Sequence, residues 1–242
     1  KRGLSGAAAA MREMWEPPAF FETLGVRYLG PIDGHDIEAL ESALSDASSY
    51  EDGPIVVHVL TDKGRGYAPA EDDEEKHLHD IGLFDPATGN SSSASGKSFT
   101  SEFSNSLLAI AERRPDVVAI TAAMPGSTGL IPFQQRYPDR FFDTGIAEQH
   151  ALTSAAGMAR AGLRPFVAIY STFLARGFDQ VMYDIGLHGL PVVICIDRAG
   201  VTGPDGASHH GLHDIAMYAR VPGMTIFSPS SLQELPVMMN QA

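Results

Sequence analysis

Three short apolar runs constrain this chain most: Val117 to Thr121, Pro165 to Ile169 and Pro191 to Asp197. A strand with one wet face alternates, because successive side chains point to opposite sides of the sheet. These runs do not alternate, so each must be covered on both faces, and stretches of helical spacing separate them. Helices are expected over Ser101 to Arg113, over the segment carrying Ala151 to Ala161, and over Thr172 to Leu187, with a further strand near Thr225 to Phe227. The pattern predicts an α/β fold with parallel sheets flanked by helices. Ligands of such sheets sit beyond the carboxyl ends of the strands, where Tyr170, Asp197 and Arg198 fall.

The first part of the chain repeats the logic on a smaller scale. A strand (Val26 to Leu29), a helix (Asp36 to Ser48) and a second strand (Ile55 to Leu60) form a β-α-β unit. Asp36 is suited to cap the helix, and Ile37, Leu40 and Leu44 share one face of it. Glu71-Asp72-Asp73-Glu74-Glu75 reads as a solvated charge run, and the serine-rich stretch from Asp85 to Ser98 as an exposed linker. The expected organisation is two partial domains, residues 1–84 and 99–242, joined by a linker at 85–98.

Composition narrows the function classes. The 44% apolar content is ample for a core, and no run of about 18 apolar residues exists to span a membrane. A net charge of −13 argues against a nucleic-acid surface. It also means that an anionic substrate must be met by a few placed arginines and not by the overall field. The single Cys195 excludes an intrachain disulfide, fits a reducing cytoplasm, and lies in an apolar run that makes it a core residue. Residues 1–10 are basic and small without a secretory hydrophobic region, and the missing initial Met suggests a piece of a longer chain.

Three segments after strands carry candidate chemistry. In Phe142-Asp143-Thr144-Gly145-Ile146-Ala147-Glu148-Gln149-His150, Glu148 stands where a strand end meets a helix. A carboxylate there either stabilises the first helical turn or holds a directed hydrogen bond to a heterocycle. In Tyr170-Ser171-Thr172-Phe173-Leu174-Ala175-Arg176, Phe173 is either an ordinary core aromatic or a ring that stacks on a ligand. Arg176, three residues on, would share its face. In the loop from Asp197 to Gly211, Gly200, Gly203, Gly206 and Gly211 let backbone approach a ligand, and Arg198 offers a planar fork suited to phosphate. Asp205 and His209 could orient a hydroxyl or move protons; a mobile surface loop is the alternative. His210 and His213 have metal-like spacing, but no thiolate or close carboxylate completes a shell, so no metal site is expected.

Together with Gly30-Pro31-Ile32-Asp33-Gly34-His35-Asp36 and Lys63-Gly64-Arg65-Gly66-Tyr67-Ala68-Pro69-Ala70-Glu71, these segments resemble the 1-deoxy-D-xylulose-5-phosphate synthase family of thiamin-diphosphate enzymes. The resemblance runs through nearly the whole chain. It implies a transketolase-like thiamin-diphosphate-binding fold, with the C-terminal part of a diphosphate-binding domain followed by a pyrimidine-binding domain. It implies condensation of pyruvate with D-glyceraldehyde 3-phosphate, Mg²⁺ as second cofactor, a homodimer, and supply of isoprenoid, thiamin and pyridoxal precursors. Carried over residue by residue, Glu148 would bind the aminopyrimidine, Phe173 would stack on it and Tyr67 would touch the cofactor. Tyr170, Arg198 and Asp205 would hold the phosphorylated aldehyde with Arg176 near it, while His209 and His79 would assist proton transfers. Two departures stand out: His210 replaces an expected Gln, and the Gly-Asp-Gly…Asn motif for diphosphate and magnesium does not occur. The metal ligands are therefore expected outside these residues and the isolated chain is expected to be inactive. A transketolase, a β-type subunit of a 2-oxo acid dehydrogenase, and an inactive binding module are the rival readings.

Overall fold

The computed structural model describes residues 17–73, 77–79, 82–90, 96–203 and 205–242. The basic N-terminal stretch, Glu74 and Glu75 of the charge run, and residues 91–95 of the expected linker lie outside the described residues. The chain divides into two compact units, Lys1–Ser93 and Ala94–Ala242.

In the first unit, β1 (Arg27–Asp33) pairs in parallel with β2 (Ile55–Leu60) across helix α1 (Ile37–Ser48). Asp36 caps α1 by accepting a hydrogen bond from the Ala39 amide at 3.0 Å, as its place in the sequence suggests. The packed face differs from the expected one: Ile37 is 63% and Leu44 51% exposed, while Ala43 is buried. A two-stranded sheet is too narrow to cover the whole apolar stripe, so only its centre packs. His35 Nε2 accepts from the Asp62 amide at 2.8 Å, joining the turns after the two strands.

The second unit holds a four-stranded parallel sheet in the order β4-β3-β5-β6, built from β3 (Val117–Thr121), β4 (Phe141–Asp143), β5 (Arg164–Tyr170) and β6 (Val193–Asp197). The absence of alternation has its cause here. Along β5, Phe166 and Ala168 enter one core with Leu107, Ile110 and Phe133, whereas Val167 and Ile169 enter another with Leu152, Ala155 and Val181. Along β3 and β5 both faces are dry, and every residue of β3 is buried. Helix α2 (Phe99–Arg113) covers the first face and opens on a reciprocal Ser98–Ser101 capping box. Helix α3 (Glu148–Arg160) covers the second through Ala151, Leu152, Ala155 and Ala156.

One expectation holds with a change of pitch, and one fails. The helix expected over Thr172 to Leu187 forms, and its pitch changes along the way from α (Ser171–Leu174) to 3₁₀ (Ala175–Gly177) to π (Gln180–Gly186). The Leu174 carbonyl accepts from the buried Tyr218 hydroxyl at 2.9 Å. Thr225 to Phe227 forms no strand: the described sheet ends at β6, and without a ladder partner Ile226 stays 42% exposed. Further helices of the unit include a short one at Ile131–Arg136, α4 (Asp214–Tyr218) and α5 (Glu234–Gln241). Among the described residues no helix is long and apolar enough to cross a membrane.

Candidate functional site

The parallel sheet brings the ends of β4, β5 and β6 to one edge, and the polar candidates of the second unit gather there. Register fixes this placement, since Thr121 pairs with Asp143 and Ala168, and Tyr170 with Asp197. Between β4 and α3 the chain turns at Gly145, whose φ of +69° suits glycine. Asp143 Oδ1 braces the turn, accepting from the Gly145 amide at 3.0 Å and the Ala123 amide at 2.7 Å. That turn delivers Glu148 to the first position of α3, where it is only 2% exposed. An unpaired charge could not be held there. Its partner is Arg176, whose Nη1 lies 3.2 Å from Glu148 Oε2. Arg176 stands in the 3₁₀ turn that follows Leu174.

Around this ion pair lies an aromatic platform. Tyr170 and Phe173 stack with ring centroids 5.7 Å apart and planes at 9°. The Arg176 guanidinium lies 6.0 Å from the Phe173 centroid, and the His209 ring meets Phe173 edge-on at 5.5 Å. On the Tyr170 side the Arg198 guanidinium lies 4.1 Å from the ring centroid. Arg198 Nε donates to Asp205 at 3.2 Å, Nη1 donates to the Ser127 carbonyl at 3.3 Å, and Nη1 lies 3.4 Å from Asp197. Burial pushes the Asp197 carboxyl above its ordinary range, with the Arg198 charge opposing that rise. Arg198 has a φ of +54°, a backbone strain concentrated at the strand end. Reciprocal backbone bonds of 2.8 Å between Gly200 and Gly211 close the neck of its loop.

Contacts thus run unbroken from Glu148 through Arg176 and Phe173 to His209, and from Phe173 through Tyr170 and Arg198 to Asp205. Seven of the nine candidates read from the sequence meet in this cluster. The other two belong to the first unit. Tyr67 there donates its hydroxyl to the Pro86 carbonyl at 2.6 Å, and His79 stands exposed in a turn. Sequence reasoning missed Ser171, Asp214 and the Ser127 carbonyl, whose part depends on contacts between distant segments. Adjacency of Ser171 to Tyr170 was the only local sign. Among the described residues no group of three His, Cys, Asp or Glu side chains is placed to hold a metal.

Cys195 sits on β6 against the core that holds Phe166 and Ala168. Burial, with the Asp197 charge second, pushes its thiol up to about 12. At pH 8 only about 10⁻⁴ of it would be thiolate, the reactive form. Ellman's reagent is expected to leave the folded chain unmodified at pH 8 and to titrate one thiol after unfolding in guanidinium. Rapid labelling of the folded chain would contradict this.

The family described as "Transketolase, pyrimidine binding domain" matches residues 96–242, and the one described as "1-deoxy-D-xylulose-5-phosphate synthase" matches residues 1–61. Among curated relatives, the 1-deoxy-D-xylulose-5-phosphate synthase of Mycolicibacterium paratuberculosis is 51% identical over 100% of this chain and 37% of the relative. That of Mycolicibacterium vanbaalenii is 55% identical over 90% of this chain and 34% of the relative. The chain therefore spans little more than a third of the length of these relatives. Among solved structures, one described as a split gene transketolase, inactive beta4 tetramer, matches with a TM-score of 0.54 at 29% identity, over 60% of this chain and 47% of that one. The transketolase from Leishmania mexicana has a TM-score of 0.55 at 15% identity over 92% of this chain and 45% of that one, a likeness of fold alone. The parallel sheets, the buried carboxylate opening α3 and these matches lead to one conclusion: the chain belongs to the transketolase pyrimidine-binding family and, within it, to the 1-deoxy-D-xylulose-5-phosphate synthases.

Proposed function

We propose that this chain is part of an enzyme that condenses pyruvate with D-glyceraldehyde 3-phosphate to 1-deoxy-D-xylulose 5-phosphate and CO₂. The observation that carries the reading is the pairing of a 2%-exposed carboxylate, Glu148, with an aromatic platform one contact away. A buried hydrogen-bond acceptor beside a flat ring suits an aminopyrimidine, which has N–H donors and a π face. Thiamin diphosphate, when bound, supplies the carbanion chemistry by which pyruvate loses CO₂ and its remaining carbons join the aldehyde.

The chain's own residues would divide the work by charge. Glu148 accepts a hydrogen bond from the cofactor's pyrimidine, and Arg176, donating to that carboxylate, keeps it oriented. Phe173 offers its ring face. Arg198 takes the aldehyde's phosphate, with Tyr170 beneath its guanidinium and Asp205 orienting it. His209, at the edge of Phe173, would move a proton at the substrate oxygen. In the first unit, Tyr67 is proposed to touch the cofactor and His79 to assist proton transfer. Domain boundaries at residues 84 and 99, Mg²⁺ binding, a homodimer, a cytoplasmic setting and a place in isoprenoid, thiamin and pyridoxal precursor synthesis belong to the same proposal. They rest on the family likeness.

The deciding experiment is CO₂ release from pyruvate by the enzyme containing this chain, with and without D-glyceraldehyde 3-phosphate. Fast release that needs the aldehyde supports the synthase; release independent of it favours a 2-oxo acid dehydrogenase subunit. A companion expectation concerns the 242 residues alone. They contain no Gly-Asp-Gly motif for a Mg²⁺-diphosphate, so they should bind thiamin diphosphate weakly. Calorimetric titration with Mg²⁺ giving micromolar or tighter affinity would contradict that expectation.

A further inference from the structure

Three side-chain hydrogen bonds stitch the turn after β5 to the segment that closes the Arg198 loop. Ser171 Oγ donates to Asp214 Oδ2 at 2.6 Å, and Thr172 Oγ1 donates to the Ser208 carbonyl at 2.9 Å. The Tyr218 hydroxyl donates to the Leu174 carbonyl at 2.9 Å. Ser171 is 3% exposed and lies where turn and loop cross most closely. A Cβ built on Gly211 would collide with Ser171 Oγ and Cβ, and would stand 2.9 Å from the Arg198 carbonyl oxygen. Gly211 is therefore required by close approach, since its backbone is not in the left-handed region.

The two segments joined here carry different parts of the site. The turn bears Phe173 and follows Tyr170; the loop bears Arg198, Asp205 and His209. Asp214 opens α4, and a helix-opening carboxylate alone would need no further account. Its hydrogen bond, however, leaves the helix for a buried hydroxyl 43 residues away. A charge-assisted bond of that kind is strong and directed, and removing the carboxylate takes away the acceptor of a hydroxyl shut off from water.

We propose that Ser171 and Asp214 are positioning residues, a latch that sets the spacing between the Tyr170–Phe173 platform and the loop carrying Arg198 and His209. On the proposed function above, the latch governs recognition of the phosphorylated aldehyde. It acts through Arg198 and touches no substrate itself.

Two measurements test this, one independent of activity. In the 242-residue chain, Asp214→Ala should raise amide hydrogen exchange at Gly200, His209 and Gly211 about tenfold or more, while Val117 to Thr121 on β3 stays protected. Ser171→Ala, a smaller perturbation, should do the same even if Asp214→Ala folds poorly. Asp214→Asn keeps an acceptor oxygen and should restore most of the protection. In the enzyme containing this chain, Asp214→Ala should raise KM for D-glyceraldehyde 3-phosphate about tenfold, with kcat within about threefold of wild type. Unchanged exchange, a uniform rise across the unit, an Asp214→Asn variant as damaged as Asp214→Ala, or an unmoved KM would each overturn the latch. Should the wild-type enzyme make no product from the two substrates, the proposed function fails, and the exchange measurement still decides the latch.

Discussion

Replacing Glu148 with Gln in the enzyme containing this chain is expected to lower kcat for carboligation about 10³-fold or more while leaving the fold intact. Both halves of that expectation come from the site. Glu148 is among the largest fully buried side chains, so truncation to Ala would open a cavity and confuse loss of chemistry with loss of packing. Gln fills the same volume and keeps one acceptor oxygen, yet removes the charge. The partner left behind, Arg176, has a side chain 53% exposed, so its guanidinium can be hydrated once the carboxylate is gone. The structural cost is therefore small, and a change in melting temperature beyond a few degrees is not expected. The chemical cost is large because a neutral amide cannot stabilise positive character developing on a bound heterocycle as a carboxylate does. Steady-state kinetics beside a thermal melt separate the two effects. Activity within tenfold of wild type would reduce Glu148 to a helix-opening residue.

The parts legible in the sequence are those whose physics is local or comes from complete burial. Strands β2 and β3 start and stop where their apolar runs do, and along β3 nothing faces water. Tyr170 and Arg198 were legible as site residues for a topological reason: both stand at strand ends of a parallel sheet. The change of pitch in the helix after β5 was not legible. Phe173, Arg176 and Gln180 are spaced as a regular α-helix would have them, and the side-chain bond to the Leu174 carbonyl comes from Tyr218, a residue more than forty positions away. Local spacing cannot report such a bond. The same holds for the Glu148–Arg176 pair across 28 positions and the Ser171–Asp214 bond across 43. Thr225 to Phe227 failed in the opposite direction: its local propensity is that of a strand, but a strand also needs a neighbour's backbone.

Arg198→Ala is expected to damage use of the phosphorylated aldehyde and to spare the release of CO₂ from pyruvate. In the structure Arg198 already lies over the Tyr170 ring, donating to Asp205 and to the Ser127 carbonyl. The guanidinium is thus oriented in advance, and little side-chain freedom remains to be lost when an anion arrives. A charge-assisted fork to phosphate is worth roughly 1.5–3 kcal/mol, which corresponds to about 10- to 150-fold in KM for that substrate. Pyruvate carries no phosphate, so its decarboxylation should change little. Arg198→Lys sharpens the test. Lysine keeps the charge but cannot present a planar fork or stack on Tyr170, so it should recover less than half of the lost free energy. Loss of the hydrogen bond to Ser127 is a structural effect open to both variants, and it would weigh on the two substrates alike. Equal damage to pyruvate and aldehyde would therefore assign Arg198 to holding its loop. A loss confined to the phosphorylated substrate, with an unphosphorylated aldehyde such as D-glyceraldehyde used as poorly by wild type as by Arg198→Ala, would assign it to the phosphate.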